Sequence, residues 1–281
     1  MAFNQEHFDI VEEGNLKKID TLTKGLLLND KRLELDGAEL RGAELNDAKL
    51  HNARLRGAKL NNAKLRGAEL NDADLSGAYL NHANLNDAKL NNANLNDAAL
   101  NNAKLNWAEL NNANLNDAEL NNAELNNANL SDAELNNAEL NKANLSGAKL
   151  NDANLRGANL SGAVLEYANL RGANLSGANL QNTYGFQYVH NIDGVIFDKD
   201  TQISRDPPQW IWDMKQKAQG LQEHEVVQRQ GDNKQYNFVV GTMVKGKFVA
   251  KEQQQAETPH ATTGEIQNVA SHPTNRNQTI S

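Results

Sequence analysis

The chain of 281 residues contains no cysteine. This excludes disulfides, thiol nucleophiles and Cys-ligated metals. Aromatic residues make up only 5% of the sequence while hydrophobic types reach 39%, so any core is built from small aliphatic side chains, unlike that of an ordinary globule. No apolar run approaches the roughly 18 residues of a transmembrane helix. Met1 to Gly14 lacks both the basic start and the apolar stretch of a secretory signal, so the cytoplasm is the expected compartment, with no membrane contact. The formal net charge of −8 is interspersed with Lys and Arg, which predicts neither direct nucleic-acid binding nor a strongly acidic tail.

What is present is a period. From Leu35 to Leu180 a Leu falls at every fifth residue, thirty in all, and from Leu40 on an Ala stands two residues before each. On an α-helix five residues advance a side chain by about 500°, so successive leucines would circle the helix and form no stripe. On a continuous strand an odd spacing sends alternate leucines to opposite faces. A short extended piece Ala-x-Leu followed by two residues that turn a corner satisfies both constraints, and the chain then winds as a polygon with Ala and Leu inside. The second residue after each Leu, from Gly37 to Gly177, is Gly, Asn or Asp in 25 of 29 cases, the types that tolerate positive φ or bond their own backbone.

Charge sets the number of sides. If coils stack at strand spacing, outward side chains one coil apart are neighbours and prefer opposite sign. Among the residues between Ala and Leu, a lag of twenty gives seven opposite pairs and one like pair, Glu119 with Glu139. The opposite pairs are Glu39/Lys59, Glu44/Lys64, Lys49/Glu69, Arg54/Asp74, Glu69/Lys89, Lys89/Glu109 and Lys104/Glu124. A lag of fifteen gives seven to five and a lag of twenty-five three to three, so the spacing predicts a square coil of twenty residues.

The runs Ala83 to Asp87 (Ala-Asn-Leu-Asn-Asp) and Ala153 to Gly157 (Ala-Asn-Leu-Arg-Gly) resemble the pentapeptide repeat family, whose motif is Ala-(Asp/Asn)-Leu-x-x. The resemblance covers about half of the chain and implies a right-handed quadrilateral β-helix, an all-β solenoid. One departure is the frequent Glu or Lys before Leu, as at Glu124 and Lys149, where the family favours Asp or Asn.

Residues 1–28 fall outside the register and read as an N-terminal helical cap, with Asn15 placed to cap a helix and Gly25 to end it. A cap is needed because a solenoid exposes unpaired backbone and core leucines at its ends. The β-helix is expected over 29–203, Leu26 to Leu28 and Leu33 beginning its first coil and Gly194 to Gln202 forming a degenerate last one. A C-terminal helix follows over 204–222, opened by Asp206-Pro207-Pro208, with Trp210, Ile211, Met214, Ala218 and Leu221 on one apolar face. That face fits a lid on the open core; a homodimer through it is the alternative. The extension 223–281 contains a candidate hairpin at 234–251, where Tyr236, Phe238 and Val240 alternate with polar residues, followed by a polar tail that composition predicts to be flexible.

Within the repeat, Asn occupies the first position after Leu ten times running from Asn81 to Asn126. The plain reading is that Asn forms turns well; stacked Asn ladders along the corners are the other. His82, Trp107, Lys142 and Tyr167 break the corner rule. Trp107 and Tyr167 are sixty residues apart, hence on one corner three coils and about 15 Å apart, and Val164 interrupts the polar outer position near Tyr167. These three are the candidate partner contact, since exposed aromatics are enriched at binding hot spots, against the plainer reading of a decayed repeat.

Nothing points to catalysis, a cofactor or a metal. The seven histidines, His7, His51, His82, His190, His224, His260 and His272, form no i, i+4 pair. Asp198 and Asp200 resemble the start of a calcium loop but lack its downstream Gly and Glu, so they are expected to be solvated corner residues. Repeat glycines belong to corners and make no phosphate loop or nucleophile elbow. The leading expectation is a non-catalytic rigid scaffold that presents regular faces to a partner protein. The alternative comes from the resemblance: some family members mimic a DNA duplex and modulate type II topoisomerases such as gyrase. That role needs continuous negative charge, whereas the repeat carries 18 acidic and 13 basic residues.

Overall fold

A computed structural model describes residues 33–204, 207, 209–219, 221, 225–231, 236–244 and 247–251. The N-terminal cap reading, the helix-opening Asp206 and Pro208, and the polar tail lie outside the described residues.

From Glu34 to Val164 every outward residue before a Leu forms a parallel bridge with the residue twenty positions later, so the coil has four sides of five residues. All 29 corner residues from Gly37 to Gly177 have φ between 55° and 71°. Each corner closes with the Ala N–H donating to the carbonyl of the Leu three residues before, as in Ala108 to Leu105 at 3.1 Å, the turn class that requires positive φ at its third residue. From Leu40 to Leu180 every Ala and Leu of the register is buried. One continuous cluster of these side chains fills the rod.

Backbone hydrogen bonding explains the remaining sequence preferences. In each repeat the N–H groups of Leu, of the corner residue and of the outward residue donate to adjacent coils, and that of Ala closes the turn. The N–H of the first residue after Leu has no backbone partner in this scheme. In most repeats a side chain supplies it. Asn126 donates its N–H to Asn106 Oδ1 (3.0 Å) and Asn141 to Asn121 Oδ1 (3.1 Å), both one coil back. Elsewhere the acceptor lies two residues back, as in Asn96 to Asn94 Oδ1 at 3.2 Å. The Asn run therefore builds ladders, and its amides do more than form turns: Asn126 Nδ2 also donates to Asn106 Oδ1, at 2.6 Å.

The register slips twice, by two residues after Tyr184 and by one more before Gln202, which pairs with Asn179. Val164 pairs with Tyr184 at a lag of twenty, but Asn169 pairs with Asn191 and Asn174 with Ile196, two residues late. Gly185 stands where the next Leu is due, and Phe186, opening a one-turn 3-10 helix to Tyr188, fills the core in its place. Gly185 has φ 75°, and a Cβ there would lie 2.1 Å from Glu166 Cγ. The last coil contains β2 (Ile196–Phe197) and β3 (Gln202–Ile203), and β3 pairs in parallel with β1 (Asn179–Leu180) of the coil before. Helix α1 (Gln209–Gln219) follows, and its Ile211, Met214 and Ala218 are buried in the same core cluster as the leucines, with Leu221 packed against it. The face offered above for homodimerisation is thus occupied within the chain. Lys215 on this helix donates to the carbonyls of Lys199 (2.6 Å) and Thr201 (2.5 Å), and burial pushes its pKa down.

The extension is more than a hairpin. β5 (Tyr236–Val244) and β6 (Lys247–Ala250) pair as expected, but β4 (Glu225–Gly231) joins β5 to β2, giving the antiparallel order β2-β4-β5-β6. Because Ile196 bridges both Asn174 and Gln228, this meander continues one face of the rod past its last coil.

Candidate functional site

Trp107 and Tyr167 sit on one corner column, as the spacing predicts, and both keep the left-handed conformation, at φ 63° and 59°. A non-glycine residue there costs about 1–2 kcal/mol, and neither indole nor phenol offers the local backbone bond that suits Asn or Asp. The rings are 62% and 65% exposed. Between them the column holds Asn127 and Gly147, so the structure does not bring them together.

Tyr167 gathers a different set. Its N–H donates to the carbonyl of Tyr188 (3.1 Å), and the two rings stack with centroids 6.0 Å apart and planes inclined by 25°. Val164 lies on the adjoining face, bridged to Tyr184 on the next coil. Tyr184 and Tyr188 are 63% and 52% exposed, so three exposed tyrosines, with half-buried Val164 beside Tyr184, form a patch at the C-terminal end of the rod. Scattered apolar residues need no explanation on a protein surface, but contiguous ones mark contact sites. Sequence periodicity missed Tyr184, which keeps the count but has Gly185 where the Leu that marks a repeat should follow, and Tyr188, which lies past the slip. Tyr79, 50% exposed, stands apart on another face.

The other candidate groups have structural roles. Asp198 is not simply solvated: its Oδ1 accepts from the N–H groups of Gly177 (2.8 Å), Asp200 (3.0 Å) and Thr201 (2.9 Å). Of the seven opposite-charge pairs, four are ion pairs: Glu39 with Lys59, Glu44 with Lys64, and Glu69 with both Lys49 and Lys89. Glu109 and Glu124 instead accept from the amides of Asn91 and Asn106, each at 2.9 Å. The Lys49 ammonium, then His51 and Lys89, hold the Glu69 carboxyl down to about 2. Among the described residues no group of three or more His, Asp or Glu could hold a metal ion, and no helix is long and apolar enough to cross a membrane.

Taken together, the four-sided coil, the Leu and Ala core and the left-handed corners define a quadrilateral β-solenoid. The sequence matches the family model described as Pentapeptide repeats, in eight copies over residues 34–72 and 143–182, and that described as Pentapeptide repeat region over 70–150. The chain belongs to the pentapeptide repeat family, which implies right-handed winding. No curated protein matches it. Solved structures similar to it include HetL, a pentapeptide repeat protein involved in heterocyst differentiation regulation from the cyanobacterium Nostoc sp. strain PCC 7120, at 33% identity over 65% of this chain and 92% of that one, with a TM-score of 0.24. A pentapeptide repeat protein from the Arabidopsis thaliana thylakoid lumen is 32% identical over 38% of this chain and 70% of its own, with a TM-score of 0.28. The plasmid-mediated fluoroquinolone resistance protein QnrB1 is 20% identical over 68% of this chain and 98% of its own, with a TM-score of 0.37. At these TM-scores the family assignment rests on the repeats themselves.

Proposed function

We propose that this chain is a rigid, non-catalytic scaffold that binds a partner protein through the patch of Val164, Tyr167, Tyr184 and Tyr188. The observation that carries the reading is Tyr167: a bulky residue kept in a costly left-handed corner, with its ring exposed and stacked on Tyr188. Asn or Gly would serve the fold better there, so the ring answers to a demand other than folding. Stacked tyrosines present a large amphipathic surface of low conformational entropy, and the backbone ladder beneath them holds it in place. Trp107, three coils away, is a separate contact point on the same edge.

The test is capture from native extract by full-length protein and by the double variant Tyr167→Asn, Tyr188→Asn, with far-UV circular dichroism confirming the fold. A partner retained by the wild type and lost by the variant is expected; equal capture would dismiss the patch.

A second reading, modulation of a type II topoisomerase by duplex-like charge, draws on the middle coils. There Asp97, Asp117, Glu119 and Glu139 lie on one corner column and the face next to it, and none forms an ion pair among the described residues. A gyrase supercoiling assay separates the readings: no effect at stoichiometric protein removes the second.

A further inference from the structure

The meander β4–β6 continues a face of the rod, and together they line a cleft of about 810 Å3. The rod contributes Glu134, Asp152, Asn154 and Ser176; the meander contributes Val226, Met243 and Phe248. Ser176 marks it as a built site. It is 4% exposed, and its Oγ has no hydrogen-bond partner among the described residues. Of the other serines at this repeat position, Ser76, Ser131 and Ser146 donate their hydroxyls to the side chain two residues earlier, while Ser161, which is only half-buried, bonds through its N–H alone. At Ser176 only the N–H makes that bond, to Asn174 Oδ1 at 3.1 Å, and the hydroxyl is left over. A buried hydroxyl without a partner is destabilising, so the site is incomplete as it stands.

Charge says what completes it. Four carboxylates and one guanidinium, Arg156, line the cleft. Glu225 is paired with Lys251 (2.7 Å), and Asp198 is engaged by turn donors. Among the described residues Glu134 accepts only from the neutral amides of Asn136 (2.8 Å) and Asn154 (2.9 Å), which leave its charge uncompensated. The Asp152 side chain makes no hydrogen bond or ion pair among the described residues. It lies over Gly172, where a Cβ would come within 2.0 Å of its Oδ1. The other wall is apolar, with Ile196 beside Val226, and with the Phe248 ring lying against Gly241, where a Cβ would meet Phe248 Cζ at 2.8 Å.

We propose that this cleft receives a basic side chain, Lys or Arg, from an extended segment of a partner protein. The aliphatic stem lies along Val226, Met243 and Phe248, the charged head meets Glu134 and Asp152, and Ser176 donates its hydroxyl to a carbonyl of the segment. The inference rests on the protein-binding reading but uses a surface distinct from the tyrosine patch.

The experiment titrates full-length protein carrying 13C-methyl methionine with a hexapeptide of alternating Lys and Val, with its Glu-for-Lys counterpart, and with spermidine. The Lys peptide is expected to shift the Met243 resonance saturably, while Met214, wholly buried in the core, stays still as an internal control. The double variant Glu134→Gln, Asp152→Asn should weaken that binding by about tenfold or more, with the fold checked by circular dichroism. No saturable shift, an equal shift with the Glu peptide or with spermidine alone, or unchanged affinity in the variant would overturn the proposal. Tyr167→Asn should leave the titration as it is. Partner capture that depends on Tyr167 beside a silent titration would remove the cleft and leave the scaffold reading standing.

Discussion

The coils from Glu34 to Lys89 and those from Asn91 to Asn141 share one backbone and one Leu core, yet their surfaces are held by different chemistry. In the first region neighbouring coils are tied by ion pairs such as Arg54 with Glu34 (3.0 Å) and Lys64 with Glu44 (2.7 Å). In the second, amides stack: Asn136 on Asn116 (2.7 Å) and Asn141 on Asn121 (2.7 Å). What stays constant is the vacancy beneath, the N–H after each Leu. Asp36 fills it for Arg56 at 2.9 Å in the first region, as Asn116 fills it for Asn136 at 2.8 Å in the second. The fold therefore specifies an acceptor at that place and leaves its charge open.

The largest effect should ignore the difference. Leu60→Ala and Leu110→Ala, each removing a fully buried side chain, should both cost about 2.7–5 kcal/mol in thermal or denaturant unfolding. Unequal losses would mean that the two regions differ in the core as well. Next comes Asn106→Ala, which deprives the Asn126 N–H and amide of their acceptor. It should cost about 1–3 kcal/mol and respond little to salt. The ion-paired region should instead be sensitive to acid. The folded carboxyl of Glu69 is lowered from 4.5 to about 2 by the Lys49, His51 and Lys89 contacts, so its stabilisation is complete above 4.5 and lost as pH falls through 2. Glu69→Gln should flatten the melting temperature over that window, and an unchanged acid limb would place the sensitivity elsewhere. Trp107→Gly should raise stability by about 1 kcal/mol by relieving the left-handed corner. Smallest is Lys64→Ala, which breaks an exposed ion pair and should shift the melting temperature barely if at all, any shift fading in 1 M salt.

Sequence alone made the rod legible because its period is favoured by sterics: all but four corner residues are Gly, Asn or Asp, and the core residues are Leu and Ala. The charge lag gave the number of sides even though Lys89/Glu109 and Lys104/Glu124 are not ion pairs in the structure, since stacked neighbours avoid like charge without having to touch. The site was half legible. Val164 and Tyr167 stood out as breaks in a pattern, while Tyr184 stands in a repeat whose Leu is replaced by Gly185 and Tyr188 lies past the two-residue slip that Gly185 and Phe186 create. β4 escaped notice because Glu225-Val-Val-Gln-Arg-Gln-Gly shows no alternation, and only its pairing with β2 and β5 makes it a strand.

The twenty-residue lag has a consequence for how such a molecule changes length. Excising residues 91–110 would remove one whole turn and rejoin every column to itself, leaving the tyrosine patch on its original edge, one storey nearer the other end. Excising five residues would instead rotate everything downstream by a quarter turn and carry the patch to a different side of the rod. Growth and shrinkage are thus quantised, and any partner that grips two coils at once measures orientation as well as distance.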